Sequence, residues 1–289
     1  MRQGFRSLLM AAAGAALTVA VSLFVAPVSG QQPPAYRSPR ASDGHPDLNG
    51  IWQALNEANW DIEMHMARPA LQVRPGPYGP VPAPPVLALG AVASIPPGMG
   101  VVDGELPYKP DALAQRNKNR ESWSTLDPEV KCYLPGVPRA TYMPQPFQIF
   151  QSSKAIFFAY QYAGAVRNIY LKDPGPAPVD SWMGQSVGKW EGDTLVIDAT
   201  GFNDQTWFDR SGNFHTEKLH VVERYTRTAP DVINYEATIE DPQVFTRPWK
   251  MSMPLYRRLD KGMQLLDFKC VEFVEELMYG QWRKNPLPR

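Results

Sequence analysis

Between residues 147 and 273, apolar and polar positions alternate with a period of two, in short runs separated by turn residues. That period belongs to half-buried β-strands and not to helices. The clearest run is 231–240, where Ile233, Tyr235, Ala237 and Ile239 fall on one face and Asn234, Glu236, Thr238 and Glu240 on the other. Residues 218–227 form its antiparallel partner through the turn at Ala229-Pro230-Asp231. Residues 186–191 and 194–199 read as a hairpin about Gly192-Asp193, a pair suited to a tight turn with positive φ. In 247–258, Trp249, Met251, Met253 and Leu255 share a face, while Pro248 and Pro254 place the strand at an edge or near a bulge. Runs at 147–151, 155–162 and 166–171 come earlier. Counted through, the pattern predicts roughly nine antiparallel strands in sequential hairpins, an all-β fold that is either an up-and-down meander or a closed barrel. Closure removes exposed strand edges and leaves an interior for side chains or one small ligand.

The chain before this region reads differently. Arg2 and Arg6 precede an apolar run ending at Val25, and Val28-Ser29-Gly30 offers small residues for cleavage, the layout of a secretory signal peptide over 1–30. The run also approaches spanning length, so an uncleaved anchor is the competing reading. Residues 31–131 form a Pro-rich irregular region with short helices at 59–67 and 110–122, Pro110 suiting a first helical turn. His65 reads there as a surface or packing histidine. The Pro, Gly, Ala and Val content of 68–104 excludes regular helix or a central strand. The β core spans 132–280, and 281–289 is a polar tail.

Charge narrows the function classes. Lys and Arg total 29, as do Asp and Glu, so no general electrostatic case for nucleic acid exists. Past the signal, no segment reads as inserting stably into a membrane. Only Cys132 and Cys270 are present. In the oxidising compartment that a signal peptide implies, they pair most simply as one disulfide tying the start of the β region to its last strand. They are not in a C-x-x-C arrangement, which argues against a metal or redox pair.

From Cys132 onward the sequence resembles a widespread, uncharacterised family of secreted bacterial proteins. The motifs that carry the resemblance are Leu134-Pro135-Gly136-Val137-Pro138-Arg139, Trp182-Met183-Gly184, Gly188-Lys189-Trp190-Glu191-Gly192-Asp193-Thr194-Leu195-Val196 and Gly201-Phe202-Asn203-Asp204. Thr206-Trp207, Asp209, His215, Leu219-His220, Glu223-Arg224, Asp241-Pro242 and Pro248-Trp249 follow. The resemblance implies a periplasmic or secreted β-rich protein and little about chemistry. Family members often carry a Gly-Arg and His-Pro pair before the Trp-Met-Gly element; here that region is Asp173-Pro174-Gly175-Pro176-Ala177-Pro178. Leu48-Asn49-Gly50-Ile51-Trp52 is also similar to the entry strand of lipocalin-type, calycin-like barrels.

Two sets of residues bear on function. Asp209 and His215 lie in a long polar-aromatic loop over 201–216, the kind of loop that carries function on a β scaffold. His220 and Arg224 share one face of the next strand, with Glu223 on the other. A histidine oriented by a carboxylate serves acid–base chemistry near neutral pH. The bland alternative is a polar network pinning the loop to the sheet. A metal held by His215, His220 and Asp209 matches no ligand signature, and no motif calls for a cofactor. The second set, Trp182, Trp190, Trp207, Tyr160 and Tyr235 with Asn203 and Asp204, reads as an apolar pocket with a few polar groups, against packed core. Three functions follow: a secreted barrel binding a small apolar or aromatic molecule; a cofactor-independent isomerase, lyase or hydrolase using His215 or His220; and an envelope module whose Pro-rich excursion docks a partner.

Overall fold

The computed structural model describes residues 36–66, 68–69, 73–74, 77–78, 81–82, 94–95, 98–102, 104–274 and 277. The expected signal peptide, most of the Pro-rich excursion and the tail lie outside them. Nine strands form one closed barrel: β1 Gly50–Gln53, β2 Phe147–Gln151, β3 Ile156–Tyr160, β4 Val166–Tyr170, β5 Gln185–Glu191, β6 Thr194–Thr200, β7 His220–Ala229, β8 Val232–Glu240 and β9 Trp249–Arg257. Each strand from β2 to β9 lies beside its successor. β1 closes the ring, placing Trp52 opposite Phe147 of β2 and opposite Arg257 of β9. The fold is therefore an all-β, calycin-like up-and-down barrel.

The alternation read from the sequence sets the inward faces. Ile233, Tyr235, Ala237 and Ile239 of β8 are buried, and they meet Val221 and Tyr225 of β7 and Met253 and Trp249 of β9 across the ladders. Trp52, Phe147, Phe158, Tyr225, Tyr235 and Trp249 fill the interior as fully buried side chains. Gly192 takes φ 60° in the β5–β6 turn, where an L side chain would be strained.

Three expectations need correction. First, the strands are not all antiparallel. Directions cannot alternate all the way round an odd-numbered ring, so one neighbouring pair must be parallel. That pair is β4–β5, where Ile169 lies opposite Ser186 and Tyr170 opposite Val187. Parallel neighbours need a long crossover, supplied by residues 171–184. Second, the ninth strand is β1, from the N-terminal side. Among the described residues 258–274 hold no strand. Cys270 does pair with Cys132, with Cα atoms 5.7 Å apart, but from a strap whose Phe273 amide donates to Val130 O and whose Phe268 packs on Tyr162. Third, no helix forms at 59–66. Asn56 accepts from the Ala58 amide and Asp61 from the Glu63 amide, local bonds that compete with helix.

The second expected helix is present as α1, Pro110–Glu121, followed by a short α2, Trp123–Leu126. The buried face of α1 is polar: Arg116 and Asn119 dock on Asn213 and Gly212 of the 201–216 loop. Pro254 lies in β9, which has no free edge there. Its ladder partner is Asn234, and residues 100–102 cover the other side of β9 through Ser252 N to Gly100 O and Val102 N to Lys250 O.

Candidate functional site

Two buried polar assemblies stand out, and each adjoins a cavity. The first lies inside the barrel. Arg167 of β4 and Glu223 of β7 occupy inward positions and are almost fully buried. Arg167 Nη2 donates to Glu223 Oε2, and Arg167 Nε donates to Ser186 Oγ at 2.7 Å. Glu223 Oε1 accepts from Tyr225 OH at 3.0 Å and Tyr235 OH at 2.9 Å. The Tyr225 proton is thereby committed, so Thr141 is the donor in its 3.2 Å contact with Tyr225 OH. Burial opposes the charge on Arg167, but Glu223 holds its pKa above the ordinary value. Burial, reinforced by the Glu223 charge, pushes Tyr225 and Tyr235 well up, so both remain hydrogen-bond donors.

This cluster is not fully satisfied. Arg167 Nη1 and the Tyr160 hydroxyl are buried and neighbouring, but neither makes a hydrogen bond of good geometry among the described residues. Arg167 and Ser186 also line a cavity of about 310 Å³ at the parallel seam. Its other walls include Leu134, Val166, Tyr170, Trp182 and Met183. Only two residue pairs join β4 to β5, so the barrel wall is thin there. Gly184, at φ 63°, completes the wall; a Cβ on it would sit 2.5 Å from the Phe202 ring. Tyr133 meets Trp182 edge-on at 4.8 Å, extending the aromatic rim.

The second assembly knits residues 59–63, 127–139 and the 201–216 loop together. Arg139 donates to Asn59 at 2.7 Å, to both Asp127 oxygens at 2.7 and 2.8 Å, and to Glu129 at 2.9 Å. Arg210 donates to both Glu129 oxygens and lies over the Trp60 ring at 4.5 Å. Against the burial that would raise it, Arg210 and Arg139 hold the Glu129 carboxyl at about 2. Asp209 accepts from the Ile62 amide, and Ser211 Oγ donates to Asp61 Oδ2 at 2.6 Å, a reciprocal clasp between loop and segment. Burial first, and the Asp61 charge second, push the Asp209 carboxyl up to about 8.

A cavity of about 740 Å³ adjoins this assembly, lined by Asp61, Glu63, His65, Glu105, Arg116 and Arg120 among others. Arg116 on its wall is engaged, whereas His65 Nε2 is buried without a hydrogen-bond partner of good geometry among the described residues. Arg116 pairs with Glu63 and donates to Asn213. His65 Nδ1 lies 2.9 Å from Met66 O, which only accepts, so that nitrogen carries a proton. His65 Nε2 lies 3.2 Å from Asp61 Oδ2.

The structure scatters the expected acid–base set. His220 and Arg224 are on the outer face of β7, where His220 Nε2 meets Asp198 at 3.0 Å and Arg224 meets Glu191 at 2.9 Å. Glu223 faces inward, as the parity of two requires. His215 is buried, with Nδ1 donating to Thr216 O at 2.9 Å and Nε2 accepting from Thr206 Oγ1 at 2.5 Å. Burial pushes its pKa down. Among the described residues no group of three or more His, Cys, Asp or Glu converges to hold a metal ion.

Of the expected pocket residues, Tyr235 and Tyr160 lie inside the barrel with the Arg167 cluster and Trp182 lies at the seam. Trp190 follows the inward parity of Ser186 but sits far along β5, stacked on His45 at 4.6 Å. Trp207 pairs with Phe214 inside its loop. Asn203 donates its amide to Ser181 O and accepts from the Gln205 amide, and Asp204 is exposed. Sequence reasoning missed Arg167 and Ser186. The available signal was Glu223 standing at core parity between Val221 and Tyr225, which demands a buried cation on another strand. Comparison of the chain with family models, with curated proteins and with solved structures returns no match.

Proposed function

We propose that this β-barrel binds a small, mainly apolar or aromatic molecule at the β4–β5 seam. The observation that carries the reading is the coincidence of a cavity walled by Trp182, Met183, Leu134 and Tyr170 with the barrel's parallel seam, which only two residue pairs join, and a buried Arg167 whose Nη1 makes no hydrogen bond of good geometry. Apolar walls around a few placed polar groups are the usual character of a small-molecule site. The volume of about 310 Å³ suits a molecule of one or two rings. The Cys132–Cys270 bond fits an oxidising compartment. Among the described residues no helix is long and apolar enough to cross a membrane.

The acid–base reading has less support, because both ring nitrogens of His215 are engaged and His220 lies outside the barrel. Native mass spectrometry of the protein from its own source, beside a Trp182→Ala variant, tests the proposal. A small molecule retained by the wild type and lost from the variant supports it, with His220→Gln retaining the molecule and within about 0.5 kcal/mol of wild-type stability. A molecule retained equally by Trp182→Ala places binding elsewhere.

A further inference from the structure

Resting on the seam reading, we infer the chemical class of the ligand: a neutral molecule carrying a carbonyl or equivalent acceptor, received by Arg167 and Ser186. Arg167 spends Nε on Ser186 and Nη2 on Glu223, leaving Nη1 beside the Tyr160 hydroxyl with no hydrogen bond of good geometry. Ser186 Oγ accepts from Arg167 Nε, so its own hydrogen is left to donate. Both residues line the seam cavity, and both are buried. Their unspent capacity is donor capacity, so the matching ligand group is an acceptor. A buried donor without a partner costs free energy, and an acceptor entering with the ligand recovers it.

Charge selects among acceptors. Glu223 already neutralises Arg167, and Tyr225 and Tyr235 around it are held neutral. A carboxylate or phosphate would bring a second, uncompensated negative charge beside Glu223 in a low-dielectric interior. A ketone, amide, ester or lactone oxygen brings none. The apolar body of the molecule then rests on Trp182, Met183 and Leu134.

The test is a calorimetric titration of the full protein with three probes of one shape: 1-indanone, indane and indane-1-carboxylate. The expected order is 1-indanone tightest, by about tenfold over indane, the worth of one or two buried hydrogen bonds. The carboxylate binds weakest. In Glu223→Gln, which keeps the acceptor for the tyrosines but leaves Arg167 uncompensated, the carboxylate becomes the preferred probe. Ser186→Ala narrows the gap between 1-indanone and indane without needing Glu223 to change. Equal binding of 1-indanone and indane, as expected if water alone satisfies these donors, overturns the acceptor class and leaves the seam reading standing. A carboxylate preferred by the wild type overturns neutrality. If no probe binds the wild type, or if Trp182→Ala binds all three unchanged, the seam reading itself falls.

Discussion

The two buried polar assemblies are built from the same materials and end in different states. Around Arg139, four donor–acceptor contacts to Asn59, Asp127 and Glu129 engage all three guanidinium nitrogens. Around Arg167, one terminal nitrogen remains unspent. The larger cavity lies beside the network whose central arginine is fully engaged, though His65 Nε2 on its wall has no hydrogen-bond partner of good geometry among the described residues; the smaller lies over the arginine that is not. Saturation of the central arginine, more than cavity size or density of charge, separates scaffold from candidate site. A saturated network fixes loops to a barrel; an unsaturated one holds binding capacity in reserve.

Removing the hub of the saturated network sharpens that contrast most. Arg139→Met leaves Asp127 buried without its cation and Glu129 with Arg210 alone, and is expected to cost about 3–5 kcal/mol in denaturant unfolding. An effect below about 1 kcal/mol would show that the network is not what holds the loops. Next comes the strap. Replacing Cys132 and Cys270 together by Ser opens a loop of 138 residues and is expected to cost about 2–5 kcal/mol. The strap binds at Val130 and Tyr162, on the Arg139 side. Hydrogen exchange is therefore expected to rise there and to change little at Ile169 and Val187 of the seam.

Acidity gives the smaller effects. Asp209 titrates higher in the folded chain, about 8, than in the unfolded chain. The folded state thus holds a proton the unfolded state has shed, and this contribution to stability falls as pH rises from about 4 to 8. His215 is depressed by burial, so its contribution is present above pH about 6.5 and is lost as pH falls below it. Asp209→Asn is expected to flatten the loss between pH 6.5 and 8 and to leave the acid-side loss in place, read from urea midpoints across the series. An unchanged alkaline slope would show that Asp209 is ionised throughout.

The barrel was legible because period-two alternation is a local signal. Ile233 to Ile239 and Trp249 to Leu255 point inward as their spacing requires. Closure by Gly50–Gln53 was visible only as a short resemblance around Trp52, since four residues carry too little periodicity to declare a strand. The parallel seam follows from the parity of the strand count, which depends on knowing that β1 is part of the ring. The histidines drew notice by residue type and sequence proximity, but adjacent strand positions face opposite sides, which separates His220 from Glu223. Arg167 carried no local mark: it sits in Val166–Tyr170, where Val166, Ile169 and Tyr170 leave either face able to turn inward. Only its pairing with Glu223, 56 positions away, identifies it.

The most direct test of the account is a nuclear magnetic resonance titration with 1-indanone, following the tryptophan indole and arginine side-chain signals of the whole protein. The account predicts saturable shifts at Trp182 and Arg167, with Trp190, Arg139 and Arg210 unmoved. Shifts confined to Arg116 and Arg120, or none that saturate at Trp182, would contradict it and return attention to the larger cavity.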